Sequence, residues 1–448
     1  MIAPEMTSDS IDIETRDDGV ATDAIESPTK PPIHVLVATW LGGVFDGMDS
    51  SIFAIVLYPA LSEILGTKSH AIVAEHGSWI VALFMFGWAF GAMIFGTLAD
   101  YIGRARTMTL TILLYACCTG LCALAHSWWE LGLYRFLVGA GIGGEMGIGA
   151  VYLSECWPNK SRAFAVGLMA TSLGFGYLAT ALLNLSLGHL GWRWLFVAGI
   201  APAFLTVYIR SKLKESNHFH ESKTERLRIL AKAETERTAE EKQNVRFTMV
   251  HLFNRENLRN TVMVSILACV AIICWWAVLA WIPAWVNQLT GDLAVEQRSH
   301  AMFAKDAGMI LSGIIGGWLI KKFGYKAVLS ISMALAFVTA VGMFATIKTF
   351  EPALLAWIAA LGLFAHLPFV VLWMYIPELF VARIRSTAFG FSYNIGRIAA
   401  AFAVLASGAM IHSLGGSYAK AASTVAGVYV FGAIAALFMP KTSGEISK

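Results

Sequence analysis

The sequence predicts an all-α membrane protein: twelve transmembrane helices in two pseudo-symmetric six-helix bundles. Three observations predict it. The first is composition. Of 448 residues, 57% are hydrophobic and only 14% charged, with a mean hydropathy of +0.63, whereas soluble domains carry about 25% charged residues. The second is a series of apolar runs near the ~20 residues that a spanning helix needs. The third is an internal repeat. Tyr152-x-x-Glu155-x(6)-Arg162-x(4)-Gly167 recurs as Tyr375-x-x-Glu378-x(6)-Arg385-x(4)-Gly390, offset by 223 residues.

Along the chain, the runs fall at 35–59, 78–98, 107–126, 130–154, 162–187 and 190–209. They resume at 260–286, 301–320, 326–347, 353–377, 386–412 and 418–439. Strands of a membrane barrel would alternate strictly over about 10 residues; a run such as 260–286 does not. Charge divides the chain the same way. Residues 1–33 carry eight Asp/Glu against Arg16 and Lys30, and have no apolar core, so they read as a disordered acidic tail rather than a signal peptide. The polar segment 210–259 reads as a linker, with a charged surface helix or an amphipathic stretch at the inner leaflet. The expected organisation is a tail over 1–33, bundles over 34–210 and 259–440, a charged linker over 211–258 and a short tail over 441–448.

Lys and Arg set the expected orientation. Arg104, Arg106, Lys160, Arg162, Lys321, Lys322, Lys326, Arg383, Arg385 and the basic residues of 210–259 fall on one side; Lys68, Arg298 and Lys348 fall on the other. Both termini and the linker are therefore expected in the cytoplasm, and the protein in a cell (inner) membrane. A net charge of +3 gives no reason to expect nucleic acid. The six cysteines lie mostly in apolar runs without metal-ligand spacing to a His, so they read as small buried residues. No metal or cofactor is expected, and no nucleophile–base pair or nucleotide loop suggests an enzyme.

Two matched halves suit a secondary transporter with its substrate near the midplane. A second repeated pair, GTLADYIGRAR at 96–106 and GGWLIKKFGYK at 316–326, falls between the second and third helix of each half. Here a family comes into view. Gly96-x-Leu98-Ala99-Asp100-x-x-Gly103-Arg104-x-Arg106 closely resembles the signature loop of the major facilitator superfamily. The resemblance implies that Asp100 and Arg104 help latch the cytoplasmic gate. Tyr101 and Ala105 depart from the pattern, and the second copy lacks the Asp.

Within that superfamily, Trp40-Leu41-Gly42-x(3)-Asp46-Gly47-x-Asp49 looks like the sialate:proton symporter group. So does Arg135-x(3)-Gly139-x-Gly141-x-x-Gly144-Glu145-x-Gly147-x(4)-Tyr152-x-x-Glu155-x-Trp157-Pro158. The stretch Arg162 to Ala181 is similar to lactate permeases. Similar sialate porters carry two extra central helices, and 210–259 is too polar to span, which leaves smaller carboxylates ahead. Aromatic-acid and other metabolite:proton symporters share the first-helix aspartates.

Ionisable residues at membrane depth mark function by default. Asp46 and Asp49 are spaced i, i+3, which puts both on one helix face. Two carboxyls in a low-dielectric setting favour keeping one proton near neutral pH. They are proton-coupling candidates, or else structural partners of Arg135 or Arg397. Glu145 is a proton-relay candidate ten residues (about 15 Å) from Arg135. Arg397, following Tyr393 and Asn394, offers a planar fork for a carboxylate and leads the substrate ligands; Tyr393 and Asn394 join it. Lys305 and Asp306 open the eighth helix, as a substrate and a coupling candidate or as an interfacial ion pair. Asp100, Arg104, Glu155, Arg162, Glu378 and Arg385 read as gate latches that form in one state and break in another.

Trp276 and Trp373 can line the cavity, though Trp275, Trp276, Trp281, Trp285 and Trp373 also suit packing or interfacial anchoring. His366 is a packing histidine or a titrating one, and Pro368 is expected to kink the tenth helix. The glycines at 139–149 suit close helix approach.

The expectation is a proton-coupled symporter of a small organic anion, a monocarboxylate such as lactate or pyruvate, working by alternating access, driven by the proton gradient, as a monomer. The alternatives are a sialic acid or aromatic-acid proton symporter, or a sugar or metabolite facilitator or exporter of the same fold. Against a drug exporter, 162–187 has no Pro. Against a sugar porter, the segment after the sixth helix reads Lys214-Glu215-Ser216-Asn217-His218 rather than Pro-Glu-Ser-Pro-Arg.

Overall fold

A computed structural model describes residues 31–67, 70–238, 241, 247–290, 295–414, 417–440 and 442. Most of the expected tails, 1–30, 441 and 443–448, lie outside the described residues. Among those described, ten helical runs are long and apolar enough to cross a membrane. One of them, Ser299–Thr346, is two spans joined at Gly324, whose φ of 79° breaks the helix. A shorter apolar stretch, Trp192–Leu205, supplies the sixth position. The twelve-helix architecture thus stands.

In the first half the helices are Ile33–Ile64, His70–Ile102, Arg104–Cys122 and Trp128–Cys156, then a fifth in two pieces, Arg162–Ala170 and Ser172–Leu187. The sixth is also in two pieces, Trp192–Ala198 and Pro202–Lys212. The linker carries the expected surface helix, Asn217–Ala231. In the second half the seventh helix is Arg255–Val278, continued by Ile282–Thr290. The tenth is Pro352–Leu379 and the twelfth is split into Tyr418–Ala426 and Val428–Ala436. Pro368 does not interrupt the tenth helix, which runs unbroken through both Pro368 and Pro377.

The eleventh helix is irregular. A short piece, Arg385–Ala388, leads into one π-helical turn, Phe389–Tyr393, and then into Asn394–Ser413. A π turn inserts a residue, so everything after it rotates by about 100° relative to the turn before. Tyr393, Asn394 and Arg397 sit at and just after that insertion.

Glycines let the halves approach. A Cβ on Gly167 would fall 2.5 Å from the Gly313 carbonyl oxygen, and a Cβ on Gly390 would fall 2.2 Å from that of Ala92. These are the two glycines of the repeat. The fifth helix therefore meets the eighth, and the eleventh meets the second, backbone to backbone. The repeated tyrosines are equally matched: the Tyr152 hydroxyl donates to the Lys214 carbonyl, and the Tyr375 hydroxyl donates to the Pro440 carbonyl at 2.7 Å. Each ties down the chain just after its half's last helix.

Candidate functional site

The sequence-predicted residues gather at two depths. At the end of the bundle that carries the linker, here the linker side, Glu155 is a hub. It accepts from Arg104 Nη2 and from Arg385 Nη1, both at 3.1 Å, and from Ser216 Oγ at 2.5 Å. Arg104 also pairs with Asp100 at 3.0 Å and donates to the Ala382 carbonyl at 2.8 Å. Asp100 accepts from the Thr387 amide at 2.8 Å and the Thr387 hydroxyl at 2.7 Å. Asp100, Arg104 and Glu155 belong to the first half; Ala382, Arg385 and Thr387 belong to the second. Arg162 donates to Asn159 and lies in the field of Glu378 across the same interface. The repeat therefore crosses over: Glu155 reaches Arg385, and Glu378 faces Arg162. These contacts tie the two halves together on the linker side.

The linker joins this network, which the sequence did not signal. Glu215 caps the third helix, accepting from the backbone amides of Arg104, Ala105 and Arg106 at 2.7, 3.3 and 3.2 Å. A carboxylate suits the positive end of a helix. Gly103, with φ of 111°, leaves the room: its Cβ would fall 2.4 Å from the Glu215 carboxyl carbon. Tyr101, a departure from the signature loop, accepts from the Thr248 amide at 3.1 Å and lies under the Arg226 guanidinium.

Deeper in the bundle, Asp49 and Asp46 both face the fourth helix but have different fates. Asp49 is buried in a pair with Arg135 at 2.9 Å and accepts from the Thr119 hydroxyl at 2.6 Å. Phe53 and Phe84 sandwich the Arg135 guanidinium, with centroids at 4.5 and 4.6 Å. Asp49 is thus satisfied. Asp46 and Glu145, also buried, face each other beside the Tyr115 hydroxyl, with no good donor geometry to either carboxyl. Gly42, one turn before Asp46, makes the notch: a Cβ there would stand 1.9 Å from Glu145 Oε1.

Across the halves, the Arg397 guanidinium carbon sits over Trp88, 3.6 Å from the ring centroid, and 5.7 Å from that of Tyr393. Its Nε donates to Asn394 Oδ1 at 2.8 Å. Its charge reaches Asp46, but it forms no ion pair among the described residues. Lys305 pairs with Asp306 at 3.1 Å, with its ammonium 5.1 Å from the Tyr177 ring and 5.9 Å from the Trp275 ring. His366 is buried and bonded to Ser312 Oγ at 2.6 Å, within an aromatic group of Trp275, Phe369 and Trp373. It is Trp275 that meets this group; Trp276, about 100° further round the helix, is half-buried. Trp88 and Tyr177 join this candidate site by their contacts with Arg397 and Lys305, and the sequence did not single them out. An aromatic in an apolar run has nothing to mark it.

This arrangement brings one unpaired guanidinium, stacked on an indole, to the interface between two bundles, near two mutually facing carboxyls. The profile of the Major Facilitator Superfamily matches residues 39–296, more than half of the chain. The chain belongs to the Major Facilitator Superfamily. It is similar to the niacin transporter NiaP of Acinetobacter baylyi, 26% identical over 80% of this chain and 82% of that one. It is also similar to the benzoate transport protein of the same organism, 25% identical over 84% and 83%. Among solved structures, the proton:xylose symporter XylE of E. coli shares the fold with a TM-score of 0.72, at 18% identity, over 93% of this chain and 98% of that one. The chain is a secondary transporter of this superfamily, not an enzyme, and crosses the membrane several times.

Proposed function

We propose that this transporter moves a small organic monocarboxylate together with a proton, and that it prefers a flat, ring-bearing acid over lactate or pyruvate. The observation that carries this is Arg397: buried, unpaired, and held against Trp88 by stacking and by Asn394. A guanidinium is a bidentate carboxylate ligand, and Trp88, Tyr393, Tyr177 and Trp275 around the basic residues offer ring faces rather than sugar-type hydrogen bonds. The relatives that carry niacin and benzoate support an aromatic cargo.

Asp46 and Glu145 would carry the proton. Two buried carboxyls that face each other, with no basic partner, are electrostatically complete when one proton lies between them. A monocarboxylate that crosses with one proton adds no net charge, so its accumulation follows the pH gradient, about 1.4 kcal/mol per unit. The Lys/Arg excess supports a cytoplasmic linker side, and on that orientation this structure would be the state closed to the cytoplasm. The pairs around Glu155 would open in the other half of the cycle.

Binding tests the assignment directly. Labelled nicotinate, benzoate and lactate are titrated against the purified wild type and Arg397→Gln. The expected result is tight ring-acid binding, weaker lactate binding, and loss of both in Arg397→Gln by at least 30-fold, the worth of one lost charge-assisted bond of about 2 kcal/mol. Unchanged affinity in Arg397→Gln would remove Arg397 from the substrate site.

A further inference from the structure

A groove opens sideways from the bundle between the seventh, eleventh and twelfth helices, away from the interface that holds Arg397. It encloses about 410 Å³ and is lined by Val262, Ser265, Ile266, Cys269, Phe391 and Phe431, among others. On the seventh helix its lining runs from Thr261 to Ile273, a rise of about 18 Å. That is close to half of a ~30 Å hydrocarbon core. The groove starts at Phe253, just before the helix on the linker side, so it occupies the depth of one leaflet.

Its mouth is basic. Arg255 and Arg259 are exposed and lie one turn apart on a helix face that continues, at spacings of three, four and seven, through Val262, Ile266 and Ile273, so they stand on the groove's own stripe. The same point is the N-terminus of a 24-residue helix whose N-cap, Asn254, makes no side-chain cap bond. An anion there meets free backbone amides, the helix dipole and two guanidinium groups. Glu256 follows Arg255 but projects about 100° away.

We propose that this groove binds one anionic glycerophospholipid of the linker-side leaflet, with its phosphate at Arg255, Arg259 and the helix N-terminus and one acyl chain along the groove. Charge at the mouth and apolar lining below fit that amphiphile and no water-soluble anion. The site also has a lever on transport. Phe391 belongs to the π turn that precedes Asn394 and Arg397, and its ring stands 5.3 Å from that of Phe253 at the groove mouth. An acyl chain against Phe391 would stiffen the turn that aims the substrate ligands.

Native mass spectrometry of the full-length protein, taken from micelles with equal phosphatidylglycerol and phosphatidylcholine, tests this without any variant. The expected result is one phosphatidylglycerol retained per chain, at least tenfold over phosphatidylcholine. Arg255→Gln/Arg259→Gln should reduce retention to the phosphatidylcholine level, and Ser265→Phe, which fills the groove, should reduce it too. Equal retention of the two lipids by wild type would overturn the proposal. So would glycerol 3-phosphate displacing the lipid at equal concentration, because that would make this an anion site with no acyl component.

Discussion

Replacing Glu155 with Gln should open the linker side. Glu155 accepts three bonds in a fully buried setting, two of them from guanidinium groups of opposite halves. A hydrogen bond to a charged group contributes about 1.5–3 kcal/mol, against about 0.5–1.5 for a neutral one. Gln keeps an acceptor, so each Arg bond loses on the order of 1 kcal/mol. The repulsion of Arg104 and Arg385, no longer bridged by an anion, brings the total to about 2–3 kcal/mol. Opening separates Glu155 from Arg385 and exposes its bond with Arg104 to water, where an ion pair contributes little, so the loss falls mainly on the closed state. At about 1.4 kcal/mol per factor of ten, the closed-to-open ratio should fall about 30- to 150-fold. Cys156, next in sequence and only half-buried, reports it. Its alkylation in detergent, resolved by peptide mass spectrometry, should speed up at least tenfold in Glu155→Gln. A rate within twofold of wild type, in a protein that melts normally, would refute the hub.

Other outcomes follow from the same geometry. Asp49→Asn leaves Arg135 buried without its anion, so it should lower stability by about 3–5 kcal/mol, read as a clear fall in melting temperature; Asp46→Asn should melt like wild type while losing proton coupling. Gly42→Ala sets a methyl 1.9 Å from Glu145 Oε1 and should displace that carboxyl, so proton-driven uptake falls while expression and folding persist. Glu63, outside the membrane core, is held below its ordinary 4.5 by bonds from Arg193 and Trp192. A depressed carboxyl adds stability above its unfolded value and loses it as pH falls through the folded one. Melting temperature should therefore drop slightly more below about pH 4.5 in wild type than in Glu63→Gln, slightly because Glu63 is more than half exposed.

The fold was legible because twelve apolar runs and a 223-residue repeat leave few alternatives. Much of the site was legible because a charge in an apolar helix stands out: Asp46, Asp49, Arg135, Glu145 and Arg397 all drew notice. Their partnerships were not. Helix spacing puts Asp46 and Asp49 on one face, and both do face the fourth helix. Which group across that contact meets which aspartate depends on helix register, so the sequence could not show that Arg135 satisfies Asp49 and leaves Asp46 with Glu145. The π turn at 389–393 re-aims Arg397 without any proline to announce it. Glu215 and Ser216 were hidden for the opposite reason to Trp88: they are polar residues in a polar linker. A departure from a sugar-porter run marked them only as absent chemistry, whereas the structure gives them the cap of the third helix and a bond to Glu155.

In this reading, substrate and proton cross together through Arg397, Asp46 and Glu145. Internal pH in proteoliposomes loaded with a pH dye tests it most directly, with benzoate, nicotinate, lactate and a neutral sugar added in turn against protein-free vesicles. The expected result is protein-dependent internal acidification with the ring acids, less with lactate and none with the sugar, and its loss in Asp46→Asn and in Arg397→Gln. Exchange of labelled benzoate with no acidification, or full acidification in Asp46→Asn, would contradict it.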